Sequence, residues 1–180
     1  MSDVRIRRLD TIGEREVEGL SDVLIDCVEG GASVSFMLPM TRAKAGAFWR
    51  DVAASAARGE RVVLAAENAD GEIIGTAQII LAQPENQPHR GDLAKMLVHR
   101  RARRLGVGRA LLVAAERSAR EAGKTLLVLD TASDDAERLY ARGGWQRCGV
   151  IPDYALLPDG RPCATTYFFK ALGATTDQSR

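Results

Sequence analysis

Residues Val98 to Arg109 read Val-His-Arg-Arg-Ala-Arg-Arg-Leu-Gly-Val-Gly-Arg. An apolar stretch, Gly91 to His99, leads into this segment and predicts a strand. A periodic stretch, Gly106 to Ala122, leads out of it and predicts a helix. That helix carries Val107, Leu111, Ala114 or Ala115, and Ala119 on one face. A strand, a basic loop with two glycines and a helix start therefore follow one another. Such a junction aims free backbone N–H groups and the positive end of a helix dipole at one point, which is a site for an anion. Gly106 and Gly108 allow a ligand close to the backbone, and five arginines within ten positions add charge suited to phosphates.

The rest of the chain must pack around that junction. Strand patterns cover Val4–Leu9, Arg61–Glu67, Glu72–Leu81, Thr125–Leu129, Trp145–Ile151 and Ala164–Lys170. Helical patterns cover Glu14–Glu29, Thr41–Arg58 and Asp134–Arg142. Asn68-Ala69-Asp70-Gly71 predicts a hairpin turn, and Ala32–Met40 and Pro152–Pro162 predict loops. Thr125–Leu129 (TLLVL) is apolar without alternation, as in a strand buried on both faces. The order β-α-α-β-β-β-α-β-α-β-β predicts an α+β domain, equally a three-layer α/β arrangement, with helices on both faces of a mixed central sheet. One domain over residues 1–173 with a frayed tail, 174–180, is expected from the 180-residue length.

Composition narrows the chemistry. Lys and Arg number 25 against 24 Asp and Glu, so a generally basic nucleic-acid binder is disfavoured. No apolar run is long enough to span a membrane, and the N-terminus lacks the apolar core of a secretory signal. Cys27, Cys148 and Cys163 form no metal or disulfide pattern, and two histidines, His89 and His99, are too few for a typical metal site. A cytoplasmic protein with reduced thiols and no metal is expected.

Two phosphate motifs fail. No G-x-x-x-x-G-K-[ST] run exists, and Leu111 stands where a G-x-G-x-x-G fingerprint needs its third glycine. Arg103, Gly106 and Gly108 satisfy R-x-x-G-x-G. With the preceding strand, the following helix, a buried strand and Leu139-Tyr140 ahead of Trp145, this succession resembles the core of the GNAT superfamily of N-acetyltransferases. The resemblance implies acetyl-CoA as co-substrate. It implies that Met96, Leu97 and Val98 pair through their backbone with the pantetheine arm, one N–H stabilising the oxyanion. It implies that Arg103, Arg104, Leu105, Gly106, Val107, Gly108 and Arg109 wrap the pyrophosphate. Arg100 and Arg101 are either solvated or near the 3′-phosphate. Tyr140 is implied as the acid that protonates the leaving thiolate. Ser133 stands where the family often has asparagine, and is expected to hydrogen-bond the pantetheine. Asp92 and Asp130 are the candidates for the base that deprotonates the amine, with His99 a weaker alternative.

Gly30 to Met37, Lys95 to Val98, Leu126 to Thr131 and the segment Pro152 to Gly160 together resemble the tabtoxin-resistance acetyltransferase branch. That branch implies a small, zwitterionic amine as acceptor. Ser33, Phe36 and Met37, with Asp153 and Tyr154, are implied to border the acceptor, Phe36 and Met37 being equally suited to closing the core. A monomer or homodimer acting on a small molecule is expected, with neither nucleic acid nor membrane as partner. The competing readings are a non-catalytic acyl-CoA sensor on the same fold, and a different acceptor such as a polyamine, aminoglycoside or protein amine.

Overall fold

The computed structural model describes residues 4–173. The expected tail, 174–180, lies outside the described residues. The elements are β1 (Arg5–Arg8), α1 (Glu14–Glu29), α2 (Arg42–Ala57), β2 (Arg61–Glu67), β3 (Ile73–Ile80), β4 (Arg90–Val98), a 3₁₀ turn at Arg100–Ala102, α3 (Val107–Glu121), β5 (Leu126–Thr131), α4 (Asp134–Arg142), β6 (Gln146–Leu156) and β7 (Pro162–Ala171). The strands form one sheet in the order β1-β2-β3-β4-β5-β7-β6. Every adjacent pair is antiparallel except β4 and β5, so the mixed sheet predicted from the element order is present.

Each helix forms where its apolar stripe and its end signals agree. Thr41 Oγ1 caps α2 by accepting from Lys44 N at 3.2 Å, and the Glu16 carboxylate accepts from Gly13 N at the start of α1. Val17, Leu20, Leu24 and Val28 of α1 join Trp49 and Val52 of α2 in a core on one face of the sheet. Val107, Leu111, Ala115 and Ala119 of α3, with Tyr140 of α4, form the core of the other face. Helices thus lie on both faces.

Two irregularities position the site. β4 pairs with β5 only through Arg90↔Leu126, Gly91↔Leu127 and Asp92↔Val128. Beyond Asp92 the two strands part, and Leu93 to Val98 keep a sheet neighbour only in β3. The second irregularity is a bulge in β4. Thr76 faces Leu97 while Gln78 faces Ala94, so three steps of β4 are matched by two of β3. Leu93 consequently packs in the α3 core and Leu97 in the α1–α2 core, although strict alternation would put both on one face. Lys95 lies in the bulge with φ of +48°.

Two expectations need correction. β5 is not buried on both faces: Leu127 and Leu129 are buried, whereas Leu126 and Val128 are half-buried and Asp130 is exposed. The α1–α2 layer makes its main sheet contacts with β2, β3 and β4, leaving the same face of β5 open. The second correction is that β6 does not stop at Ile151 but runs on to Leu156 through a bulge between Ile151 and Ala155. An edge strand tolerates Pro152, because no further strand calls on its N–H side.

Candidate active site

The arginine loop divides into two groups. Arg100 and Arg101 are already paired. Asp26 accepts from Arg100 N at 2.7 Å and from Arg100 Nε at 2.9 Å, and Arg101 Nη2 reaches Glu72 Oε2 at 3.1 Å. His99 is used as a cap, its Nδ1 accepting from Arg101 N at 3.2 Å. Arg103, Arg104 and Arg109 have no ion pair among the described residues, and Arg104, Leu105 and Arg109 are exposed. Only this second group has charge to offer an anion.

The backbone there is shaped accordingly. Arg104 has φ of +63° and Gly106 φ of +82°. Two left-handed residues this close turn successive N–H groups toward one side, the form of an anion nest. The first intrahelical bond of α3 is Ala110 N to Gly106 O at 3.0 Å. The N–H groups of Val107, Gly108 and Arg109 therefore lack helical partners. Gly106 is required for its conformation. Gly108 has a different reason: a Cβ there would stand 3.2 Å from Leu139 Cδ2, so its bareness lets α3 pack on α4. That contact qualifies the expectation that both glycines serve close ligand approach.

Tyr140 sits on α4 and packs into the core on the α3 face of the sheet. Its ring is 4% exposed and lies 5.8 Å from the centroids of both Trp145 and Phe168. Its hydroxyl makes no hydrogen bond among the described residues and is not sealed from solvent. Burial, followed by the charge of Asp130, pushes the phenol well above its ordinary pKa, so it carries its proton. Glu116 steadies the corner beneath it, accepting from Trp145 Nε1 at 2.9 Å and Lys170 Nζ at 2.7 Å. Ser133 Oγ caps α4 by accepting from Ala136 N at 3.3 Å, which leaves its O–H free to donate.

The two aspartates differ sharply. Asp92 stands at the last paired step of β4 and β5, ion-paired with Arg90 and accepting from Gln83 Nε2 at 3.1 Å. Asp130 stands beyond the fork and accepts from Thr165 Oγ1 at 3.0 Å, with no ion pair among the described residues.

Asp130 lines a cleft of about 330 Å³ together with Ser33, Ser35, Phe36, Met37, Tyr154 and Thr165. Four of the five acceptor-site candidates, Ser33, Phe36, Met37 and Tyr154, are thus gathered there. The fifth, Asp153, is exposed beside Tyr154 with φ of +50° and does not line it. The two loops meet because Ser33 Oγ donates to Leu156 O at 3.2 Å and Leu38 N to Pro158 O at 3.1 Å. Phe36 serves both expected ends, lining the cleft and meeting Phe48 edge-on at 5.1 Å.

A model described as the acetyltransferase (GNAT) family matches residues 35–145. The chain belongs to the GNAT acetyltransferase family. Its likeness extends to a protein of Azospirillum brasilense described as an uncharacterized N-acetyltransferase in the hisH-hisA intergenic region. The two are 32% identical over 132 residues, 72% of this chain and 76% of that one. Two solved structures share the fold. An N-acetyltransferase from Staphylococcus aureus Mu50 superposes with a TM-score of 0.78 at 16% identity, covering 96% of this chain and all of that one. The protein yncA from Salmonella typhimurium, whose structure holds acetyl-CoA, gives 0.76 at 20% identity over 98% of each chain. This GNAT protein is an acetyl-CoA-dependent N-acetyltransferase.

Ser35 and Thr165 of the acetyltransferase cleft escaped the sequence candidates, as did Tyr167 and Lys95, which bond to its lining residues Tyr154 and Ser35. Ser35 lies between two that were named. Tyr167 OH is 2.8 Å from Tyr154 OH, a bond that first of all, with burial and the charge of Asp130 behind it, pushes Tyr167 up to about 12. Lys95 Nζ donates to Ser35 Oγ at 3.3 Å. Lys95 did leave a signal, the one charge between Leu93 and Val98, but only the bulge explains which way it faces. Burial pushes the Cys27 thiol up, away from the reactive thiolate. No helix among the described residues is long and apolar enough to cross a membrane. Among them, no group of three or more His, Cys, Asp or Glu is placed to hold a metal.

Proposed function

We propose that this acetyltransferase moves the acetyl group of acetyl-CoA to the primary amine of a small, amino-acid-like molecule by direct attack. The observation that carries the reading is the fork in the sheet. Past it β4 runs on into the loop of unpaired arginines, and β5 runs on to Asp130 in the wall of the 330 Å³ cleft. A single-stranded edge at Leu93 to Val98 suits an amide-bearing arm that adds to the sheet, and the free N–H groups of Val107 to Arg109 suit a pyrophosphate. The cleft has the lower end of the volume expected for a small-molecule site.

The residues divide the work. Asp130, free of any ion pair, takes the proton from the acceptor ammonium, directly or through water, leaving a lone pair on nitrogen. Asp92 is held by Arg90, so its part is to close the apex of the fork. The nitrogen attacks the thioester carbonyl, an N–H at Met96 to Val98 stabilises the oxyanion, and the carbon–sulfur bond breaks as the nitrogen gives its second proton to water, leaving the neutral amide. Tyr140, which keeps its proton at any physiological pH, gives it to the departing thiolate. Tabtoxin-like toxins and related metabolites fit as acceptors through their amino-acid core, a reading supported by the resemblance of the cleft-forming segments.

Release of free thiol from acetyl-CoA tests the proposal across amino acids, β-lactam toxin analogues, polyamines, aminoglycosides and peptide amines. Amino-acid-like amines are expected to give the highest kcat/KM. A best rate with aminoglycosides, polyamines or peptides replaces the acceptor class. No turnover with any amine, with acetyl-CoA bound, favours a sensor.

A further inference from the structure

The chain has four lysines, and they are not treated alike. Lys44 is exposed and donates to Met37 O at 3.2 Å. Lys124 is buried and donates to Leu81 O and Pro88 O at 2.9 and 2.8 Å. Lys170, half-buried, donates to Glu116 Oε2 and Gly143 O, both at 2.7 Å. Each of the two well-covered ammonium groups thus has two close acceptors, as a desolvated cation requires. Lys95 breaks the pattern. It is also half-buried, its Nζ standing 5.8 Å from the centre of the Phe48 ring. Its one polar contact is the long bond to Ser35 Oγ, and no carboxylate pairs with it among the described residues.

The backbone is strained to hold this arrangement. Among the described residues only four non-glycine residues have positive φ: Ser35 (+76°), Lys95 (+48°), Arg104 (+63°) and Asp153 (+50°). Arg104 is in the arginine loop, Ser35 lines the cleft, Lys95 bonds to Ser35, and Asp153 adjoins the lining residue Tyr154. Left-handed non-glycine residues cost energy and persist where the surrounding structure enforces them, and they gather at functional sites. Here they set a cationic group against Ser35 in the wall of the cleft, with the Asp130 carboxylate in the same cleft.

We propose that Lys95 is the anchor for a carboxylate carried by the acceptor, so that the cleft selects amines bearing an acid group near the nitrogen. The acid group would supply the missing acceptors of the ammonium while Asp130 receives the amine, so that each charge of a zwitterion meets its opposite. Burial, opposed by the charge of Asp130, holds the Lys95 pKa below its ordinary value, in keeping with a cation short of partners. The surrounding aromatic and apolar groups lower the local dielectric and strengthen a charge-assisted hydrogen bond formed there. The inference deepens the proposed function and rests on the cleft being the acceptor site.

The test compares protein amino acids, β-alanine and 4-aminobutyrate, each beside the amine that lacks its carboxylate. Wild type, Lys95→Met and Lys95→Arg are assayed by thiol release, and acetyl-CoA binding is measured separately for each. Wild type is expected to favour the best acid-bearing amine by about tenfold or more in kcat/KM over its counterpart. Lys95→Met is expected to erase that preference through KM, with acetyl-CoA binding retained, and Lys95→Arg to restore part of it. Equal use of the paired amines by wild type, or a preference that survives in Lys95→Met, overturns the role of Lys95 and leaves the acetyltransferase reading standing. Failure of wild type to acetylate any amine of the panel while binding acetyl-CoA overturns the small-amine reading, and this proposal with it.

Discussion

The proposed anion loop and the proposed acceptor cleft are built differently: the loop is complete within one stretch, Arg103 to Arg109, whereas the cleft takes Ser35, Asp130, Tyr154 and Thr165 from four separate segments. The loop depends on local chemistry: a left-handed glycine, uncommitted N–H groups and arginines left without carboxylates. The cleft depends on the sheet coming apart where β4 and β5 separate and on two loops being tied together by Ser33 and Leu38. A site of the first kind is set by one short segment. A site of the second kind changes specificity whenever one of its contributing loops is altered, because no single segment determines its shape.

That contrast can be broken at three places. Tyr140 belongs to neither side, so Tyr140→Phe should lower kcat by roughly a hundredfold or more while leaving both KM values near wild type. Phenylalanine keeps the ring between Trp145 and Phe168, so an unchanged thermal midpoint with a lost rate separates chemistry from folding. An unchanged kcat removes Tyr140 as the acid. The double variant Arg104→Ala/Arg109→Ala should raise the KM for acetyl-CoA by about tenfold and flatten its salt dependence, with the acceptor KM unmoved. A matching rise in acceptor KM would show that the two regions are coupled.

The smallest effect is expected at the Tyr154–Tyr167 pair. Tyr167 is pushed up to about 12, chiefly by the bond to Tyr154. A phenol with a raised folded-state pKa contributes stability that is intact below pH ~10 and lost as pH climbs through the folded value. Tyr154→Phe should therefore bring the phenolate titration of Tyr167 back toward 10, lower stability below pH ~10 by the lost contribution, and flatten its alkaline decline. A few-fold rise in acceptor KM at neutral pH is expected alongside it. A Tyr167 titration that does not move on losing Tyr154 would show that burial and Asp130 set it instead.

The same contrast explains what the sequence made legible. The strand–loop–helix junction of the arginine loop was readable because its signals lie in neighbours one to six positions apart. α4 was readable to its end residues, since Ser133 caps it and Gly143-Gly144 ends it. The continuous apolar run of β5 misled, because periodicity reports what a side chain tolerates and not whether a helix covers it. Leu126 and Val128 face a region that the α1–α2 layer does not reach. Asp92 and Asp130 looked equivalent as strand carboxylates, and only the end of the β4–β5 pairing, with Arg90 on one side of it, separates them. Lys95 was hidden by a bulge that reverses the facing of β4 partway along, which no count of alternating residues reveals.

The bare flank of α3 at Gly108 brings Leu139 of α4 against it, and Leu139 precedes Tyr140. The arginine loop and the helix that carries Tyr140 are therefore linked through one close side-chain contact, so a larger residue at position 108 would press one against the other. Under the proposed mechanism, the span between the arginines and Tyr140 sets how far the reactive carbon of a donor can hang from its phosphates and still meet the hydroxyl.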